Sequence, residues 1–202
     1  MPPPLDFSGL SREAGPTYPG PAARARVSAL AQSVPARLAC SDACEAAEAR
    51  IVRAVIDALK RDYPDYPRYQ PNAWAKAYRD VQLVFRHNVS AMVRDDVEWL
   101  DRTFLRWLRT ILQAFVFHSP RFVRDTYVLL KAGARKELPA DAFALLEPFL
   151  DRTLAVLADI PAEFSEGPRP AAAFPAVPTQ ADAAAGSVGA SPYSTEPPRA
   201  SL

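Results

Sequence analysis

The chain has 202 residues, 49% of them hydrophobic, and its 24 basic and 23 acidic side chains leave a formal net charge of +1. That length suits one domain of ordinary size with tails, and the hydrophobic fraction is enough to fill a core. The near-neutral balance gives no electrostatic bias toward nucleic acid or an anionic membrane surface.

Other classes fall away on simple grounds. Two cysteines, Cys40 and Cys44, are too few for a disulfide framework. No apolar run approaches the roughly 20 residues that span a bilayer. The start, Met1-Pro2-Pro3-Pro4-Leu5-Asp6, lacks the basic and then apolar regions of a secretory signal. Together these features point to a cytoplasmic protein without membrane insertion.

Proline is concentrated at the two ends. Residues 1–21 read as a disordered lead-in, and the Pro/Ala/Ser-rich stretch 161–202 as a disordered tail, because neither buries enough apolar surface to offset ordering. A proline-rich ligand role for the tail lacks a tight PxxP cluster. Between them, 22–160 form the folded domain. Residues 22–33 predict a short helix stopped by Pro35. Residues 36–62 contain no proline or glycine, and Leu38, Cys44, Ile51, Val52, Val55, Ile56 and Leu59 recur at helical spacing.

The run Asp62-Tyr63-Pro64-Asp65-Tyr66-Pro67 breaks that helix. Asn72 then reads as the N-cap of a helix from Ala73 to Arg94, with Trp74, Tyr78, Val81, Phe85, Val89 and Met92 as its buried stripe. Asp95-Asp96 suits the start of a helix from Val97 to Phe115, where acidic groups meet the positive end of the dipole. Ser119-Pro120 opens a helix to about Arg135. Leu138-Pro139 opens the last one, to about Ala158, with Pro148 expected to kink it. No stretch alternates strictly enough for a strand, so the fold class is all-α.

One cluster of residues carries more than periodicity. Arg79-Asp80 is followed by Arg86 six residues after the aspartate, and by Asp96 ten residues after Arg86. This pattern resembles the chromophore-bearing helix of phycobilisome (phycobiliprotein) subunits, where Cys-x-Arg-Asp is followed by a second arginine and a Gly-Asp turn at the same intervals. Upstream, Glu48-Ala49-Arg50-Ile51-Val52 and the turn near Asp65 resemble the family's first long globin-type helix. Downstream, His118-Ser119-Pro120 resembles the start of its last two helices. The similarity covers about residues 36–158. It implies a globin-like fold with a short N-terminal helical extension, for which 22–33 is the counterpart.

In that family the cysteine forms a thioether to an open-chain tetrapyrrole, a bilin. The resemblance makes Arg79 the propionate partner, Asp80 the acceptor for pyrrole N–H groups and Arg86 a second cation. Ala77 stands where the cysteine would be, and a methyl group cannot form a thioether. The cofactor expectation is therefore no covalent bilin at this site, with non-covalent bilin binding left open. Cys40 and Cys44 lie one turn apart on another helix, as half a metal site or, more simply, as small apolar packing residues.

Haem is the other expectation a globin-like fold raises. His87 and His118 are the only histidines, and residues 97–115, where a proximal ligand belongs, contain none. No Ser/His/Asp or Cys/His constellation, P-loop or GxGxxG is present, so no enzyme is expected. Arg102, Arg106 and Arg109 recur beside Trp99 and Trp107, but Asp95, Asp96, Glu98 and Asp101 crowd the same region. That mixture suits a solvated or partner-facing surface better than nucleic acid. The resulting expectation is a bilin-free phycobilisome-like subunit, a structural or interaction protein that oligomerises with itself or a homologous subunit. The alternative is a globin-type sensor holding a tetrapyrrole non-covalently.

Overall fold

The computed structural model of the protein describes residues 18–69, 71–114 and 120–158. All of them fall within the first, Met1–Glu166, of two units into which the chain divides. The lead-in up to residue 17, the tail from 161, His118 and the Ser119 cap lie outside the described residues. The described elements are helical throughout: α1 (Pro21–Asp62), a 3₁₀ turn (Tyr66–Tyr69), α2 (Ala73–Arg94), α3 (Val97–Leu100), a π turn (Asp101–Leu105), α4 (Arg106–Ala114), α5 (Pro120–Glu137) and α6 (Ala140–Leu157). The all-α expectation holds.

The first correction concerns Pro35. The expected break does not occur, and α1 runs through it for 42 residues. Proline removes one N–H and crowds the carbonyl four residues back. Here that carbonyl belongs to Ala31, and both Ala31 and Pro35 are exposed, so water can satisfy the freed oxygen. The N-terminal extension is thus the first half of α1 rather than a separate helix.

Arg37, two residues beyond the proline, ties this arm to the body. Its side chain is buried, pairs with Asp95 at 2.7 Å, and donates to the Met92 carbonyl and to Ser33 Oγ. Asp95 sits in the left-handed region (φ 55°) as the C-cap of α2. Asp96 alone caps α3, accepting from the Trp99 amide at 2.7 Å. The expected Asp95-Asp96 start therefore divides between two helices.

Asn72 also behaves differently from a side-chain cap. It too is left-handed (φ 55°) and makes no side-chain cap bond. Asparagine tolerates that conformation better than most residues, and its carbonyl accepts the Lys76 amide. The single helix expected over 97–115 is interrupted by the π turn, closed by the Arg106 amide bonding to the Asp101 carbonyl. Phe115 lies outside the described residues.

The core is built around α1, which packs against α2, α5 and α6. Ile51, Val52, Val55 and Leu59 of α1 meet Phe85 and Met92 of α2 and Leu130 and Leu146 from α5 and α6 in one continuous apolar cluster. Cys40 and Cys44 belong to this cluster as free, buried thiols, with Cys40 Sγ donating to the Ala142 carbonyl. The hydrogen bond between the two thiols pushes Cys44 up, and burial adds to it. A buried Asn88–Thr153 hydrogen bond of 2.9 Å fixes the register of α2 against α6. Among the described residues no helix is long and apolar enough to cross a membrane.

Replacing Arg37 by methionine removes charge-assisted hydrogen bonds while keeping most of the stem. Because Asp95 is one-third exposed, the loss expected in urea unfolding is about 1.5–3 kcal/mol, below that of a fully buried pair.

Candidate functional site

The residues singled out on α2 do not share one face. α2 carries Ala77 and Asp80 toward a cleft of about 90 Å³ that also involves α1, the 3₁₀ turn, α4 and α5. Ala77 is buried at its wall. Asp80 lies on its rim, about half exposed. Three aromatic residues, Tyr66, Phe122 and Tyr127, are part of its lining. Tyr66 and Phe122 stack at 4.4 Å with a 17° interplanar angle.

Sequence spacing explains part of this. Ala77, Val81 and Val84 recur at i, i+4 and i+7, so they are buried together on α2. The prolines at 64 and 67 force the chain from α1 into a turn that delivers Tyr66 back onto the same side. Phe122, Thr126 and Tyr127 then come from the first turns of α5. The Tyr127 phenol is buried and is pushed up, first by desolvation and then by the Asp80 carboxylate. Tyr63, just before the 3₁₀ turn, donates to Asp125 at 2.5 Å, and burial pushes it up to about 12.

Arg79 is adjacent to the cleft but turned to solvent. Its guanidinium makes two bonds to the Asp80 Oδ1, at 3.0 and 3.2 Å, with 72% of its side chain exposed. Asp80 Oδ2 takes neither bond. Exposed pairs of this kind contribute little stability, so the arrangement leaves Asp80 available to other donors.

Arg86 faces elsewhere. It reaches across to α1 and forms a two-pronged pair with Glu48, at 2.7 and 2.8 Å, while Gln82 donates to the same carboxylate. Arg86 and Glu48 line a second groove with Cys44, Phe85 and Val89. The three polar residues expected to form one pocket therefore split: Asp80 on the cleft, Arg79 beside it, Arg86 on another face. Cys40 and Cys44 are absent from the cleft wall.

His87 also has a setting that sequence reasoning missed. Its ring stacks on Phe104 at 3.8 Å and 11°, with Trp99 on the same aromatic row. Its Nδ1 lies 2.8 Å from the Leu83 carbonyl. The π turn makes this contact by re-aiming Phe104, and nothing in the residue spacing announced it. Among the described residues no group of three or more His, Cys, Asp or Glu is placed to hold a metal ion.

The Arg86–Glu48 pair makes a pH prediction. The arginine's hydrogen bonds hold the Glu48 carboxyl below its ordinary value. Its folded-state pKa is depressed, so the stabilisation is present above the ordinary value of about 4.3 and is lost as pH falls through the folded one. Thermal melts from pH 7 to 2.5 should show a steeper acid-side loss for the wild type than for Arg86→Met, the two curves converging at the lowest pH.

Comparison with known proteins agrees with this architecture. A family model described as "Phycobilisome protein" matches residues 12–157. No curated protein matches the chain.

Proposed function

Because the chain belongs to the phycobilisome protein family, we propose that it is an antenna-related subunit that carries no covalent bilin and works as an oligomerising structural protein. Proteins of this family are light-harvesting subunits with a globin-like, all-α fold, and they normally hold bilins. The observation that carries the bilin-free reading is the cleft itself. At the position matching the attachment cysteine there is the Ala77 methyl, and the aromatic walls leave about 90 Å³. Sites for drug-sized ligands span roughly 300–1,000 Å³, and an open-chain tetrapyrrole is at least that large. Arg79, the residue matched to a propionate partner, is bonded to Asp80 instead.

The oligomerising part rests on the exposed face of the first half of α1. Val27, Val34 and Leu38 are large exposed apolar residues, and their spacing of seven and four sets them on one helix face. That stripe runs into a groove lined by Ser41, Val89, Ser90 and Val93. A second subunit of the same fold would cover both surfaces. The lead-in and tail are proposed to lie outside this folded unit.

The other reading, a sensor holding a tetrapyrrole non-covalently, draws on Asp80, which lines the cleft and whose carboxylate would accept pyrrole N–H groups.

Co-expression with bilin-synthesising enzymes separates the two. The protein is expected to be colourless, with no zinc-induced fluorescence on a denaturing gel. Colour that survives denaturation would overturn the bilin-free reading, and colour lost on denaturation and in Asp80→Ala would favour the sensor. For assembly, light scattering on the purified chain should report a dimer or larger. Leu38→Glu combined with Val34→Glu should shift it to monomer with an unchanged helical circular dichroism spectrum.

A further inference from the structure

We propose that the surface of the π turn and α4 around Trp107 docks an acidic segment of a partner protein, one that presents an apolar side chain between its carboxylates.

The apolar half of this surface comes from two helices. Trp107 of α4 and Leu83 of α2 are large apolar side chains left exposed, Trp107 at 55%. The Trp107 ring lies 6.1 Å from the ring of buried Phe104. Phe104 stacks on His87, whose Nδ1 lies against the Leu83 carbonyl one turn back on α2. An aromatic row therefore runs outward from the core and ends on a tryptophan more than half exposed. Tryptophan and arginine are the side chains most enriched where binding energy concentrates.

The charged half is made by the fold. Arg102 and Arg106 are exposed and four residues apart, and Arg106 adjoins Trp107. They line a groove with Val97, Glu98, Asp101 and Arg152. Neither makes an ion pair among the described residues. In sequence their charge is balanced by Asp95, Asp96, Glu98 and Asp101. The structure removes most of that balance. Asp95 is turned to Arg37, Asp96 to the Trp99 amide and Asp101 to Arg152. Of the four acids, Glu98 is left to oppose the two arginines, so the surface beside Trp107 is locally cationic.

Complementarity then defines the occupant. Carboxylates match guanidinium groups through paired hydrogen bonds, and an apolar side chain covers the exposed indole. A nucleic acid backbone is a poorer match, because two cations release few counterions and Glu98 repels phosphate. The surface shares no residue with the exposed α1 stripe or the groove beside it, so it is distinct from the self-association surface proposed above.

The test titrates the full chain with the blocked peptide Glu-Glu-Leu-Phe-Asp-Glu-Glu, followed by chemical-shift change and saturation transfer in NMR. Lys-Lys-Leu-Phe-Lys-Lys-Lys controls for charge and Glu-Glu-Gly-Gly-Asp-Glu-Glu for the apolar anchor. The first peptide is expected to saturate, to bind more tightly than either control and to weaken as salt is raised. Trp107→Ala should weaken it by about ten-fold. Arg102→Glu combined with Arg106→Glu should reverse the preference, so that the lysine peptide binds better than the acidic one. Reversal is a gain that an unfolded chain cannot produce, and a melt of each variant confirms the fold.

Absence of saturation with the wild type overturns the proposal, as does binding indifferent to Trp107→Ala or a preference unchanged by the double charge reversal. Tighter binding of single-stranded oligothymidylate than of the acidic peptide assigns the surface to nucleic acid and overturns it too. Conversion of the oligomer to monomer by Trp107→Ala alone, read by light scattering, makes the occupant a second copy of this chain, with the same consequence.

Discussion

A buried guanidinium holds the architecture in register. Arg37 joins the middle of the longest helix to the C-terminal end of α2 through the Met92 carbonyl and the Asp95 carboxylate. Without such an anchor, a 42-residue helix containing a proline would have little to define its course at that point. With it, the residues after Arg37 deliver Cys40, Cys44, Ile51 and Val55 to the core. Burying an arginine is favourable only when its donors are satisfied. Three partners do this for Arg37: a hydroxyl, a carbonyl and a carboxylate.

The same bond explains why Asp95 is left-handed. Ending α2 with a left-handed residue turns the chain sharply, presents the Asp95 carboxylate to Arg37, and leaves Asp96 to cap α3. The π turn that follows places Asp101 where Arg152 of α6 reaches it. It also sets Phe104 against His87. A succession of local departures from regular helix thus creates the contacts between α2, the 97–114 segment and α6. On the opposite side of α2, the proline-directed turn after α1 brings Tyr66 against Phe122. The cleft beside Ala77 is what remains between these packed groups.

That geometry gives Ala77 a physical context. Ala77 is a small buried group on the wall of a narrow, mostly apolar space. Arg79, Asp80 and Arg86 lie within eight residues of α2, yet each of the three meets a different environment. Three residues close in sequence are therefore distributed over a cleft, an exposed pair and an inter-helix pair. Function in a fold of this kind resides in such local settings rather than in the fold itself.

The positions of the helices were legible from apolar periodicity and from Pro/Gly punctuation, and α2 begins and ends where that reading put it. The Arg/Asp spacing likewise pointed to the family that matches residues 12–157. The break at Pro35 was misread because a proline's local penalty is visible in sequence, whereas the exposure of Ala31 and the anchor at Arg37 are not. Asn72 was identified as a helix boundary residue, but whether its side chain caps or its backbone turns depends on the incoming chain. The π turn left no trace in spacing because it is set by the packing of Asp101 and Phe104. Local propensity and periodicity thus determined what kind of elements this chain makes. Which faces of them meet, and so why Asp80 borders a cleft while Arg86 binds Glu48 on α1, was decided by tertiary packing, because those partners lie tens of residues apart and only the folded arrangement brings them together.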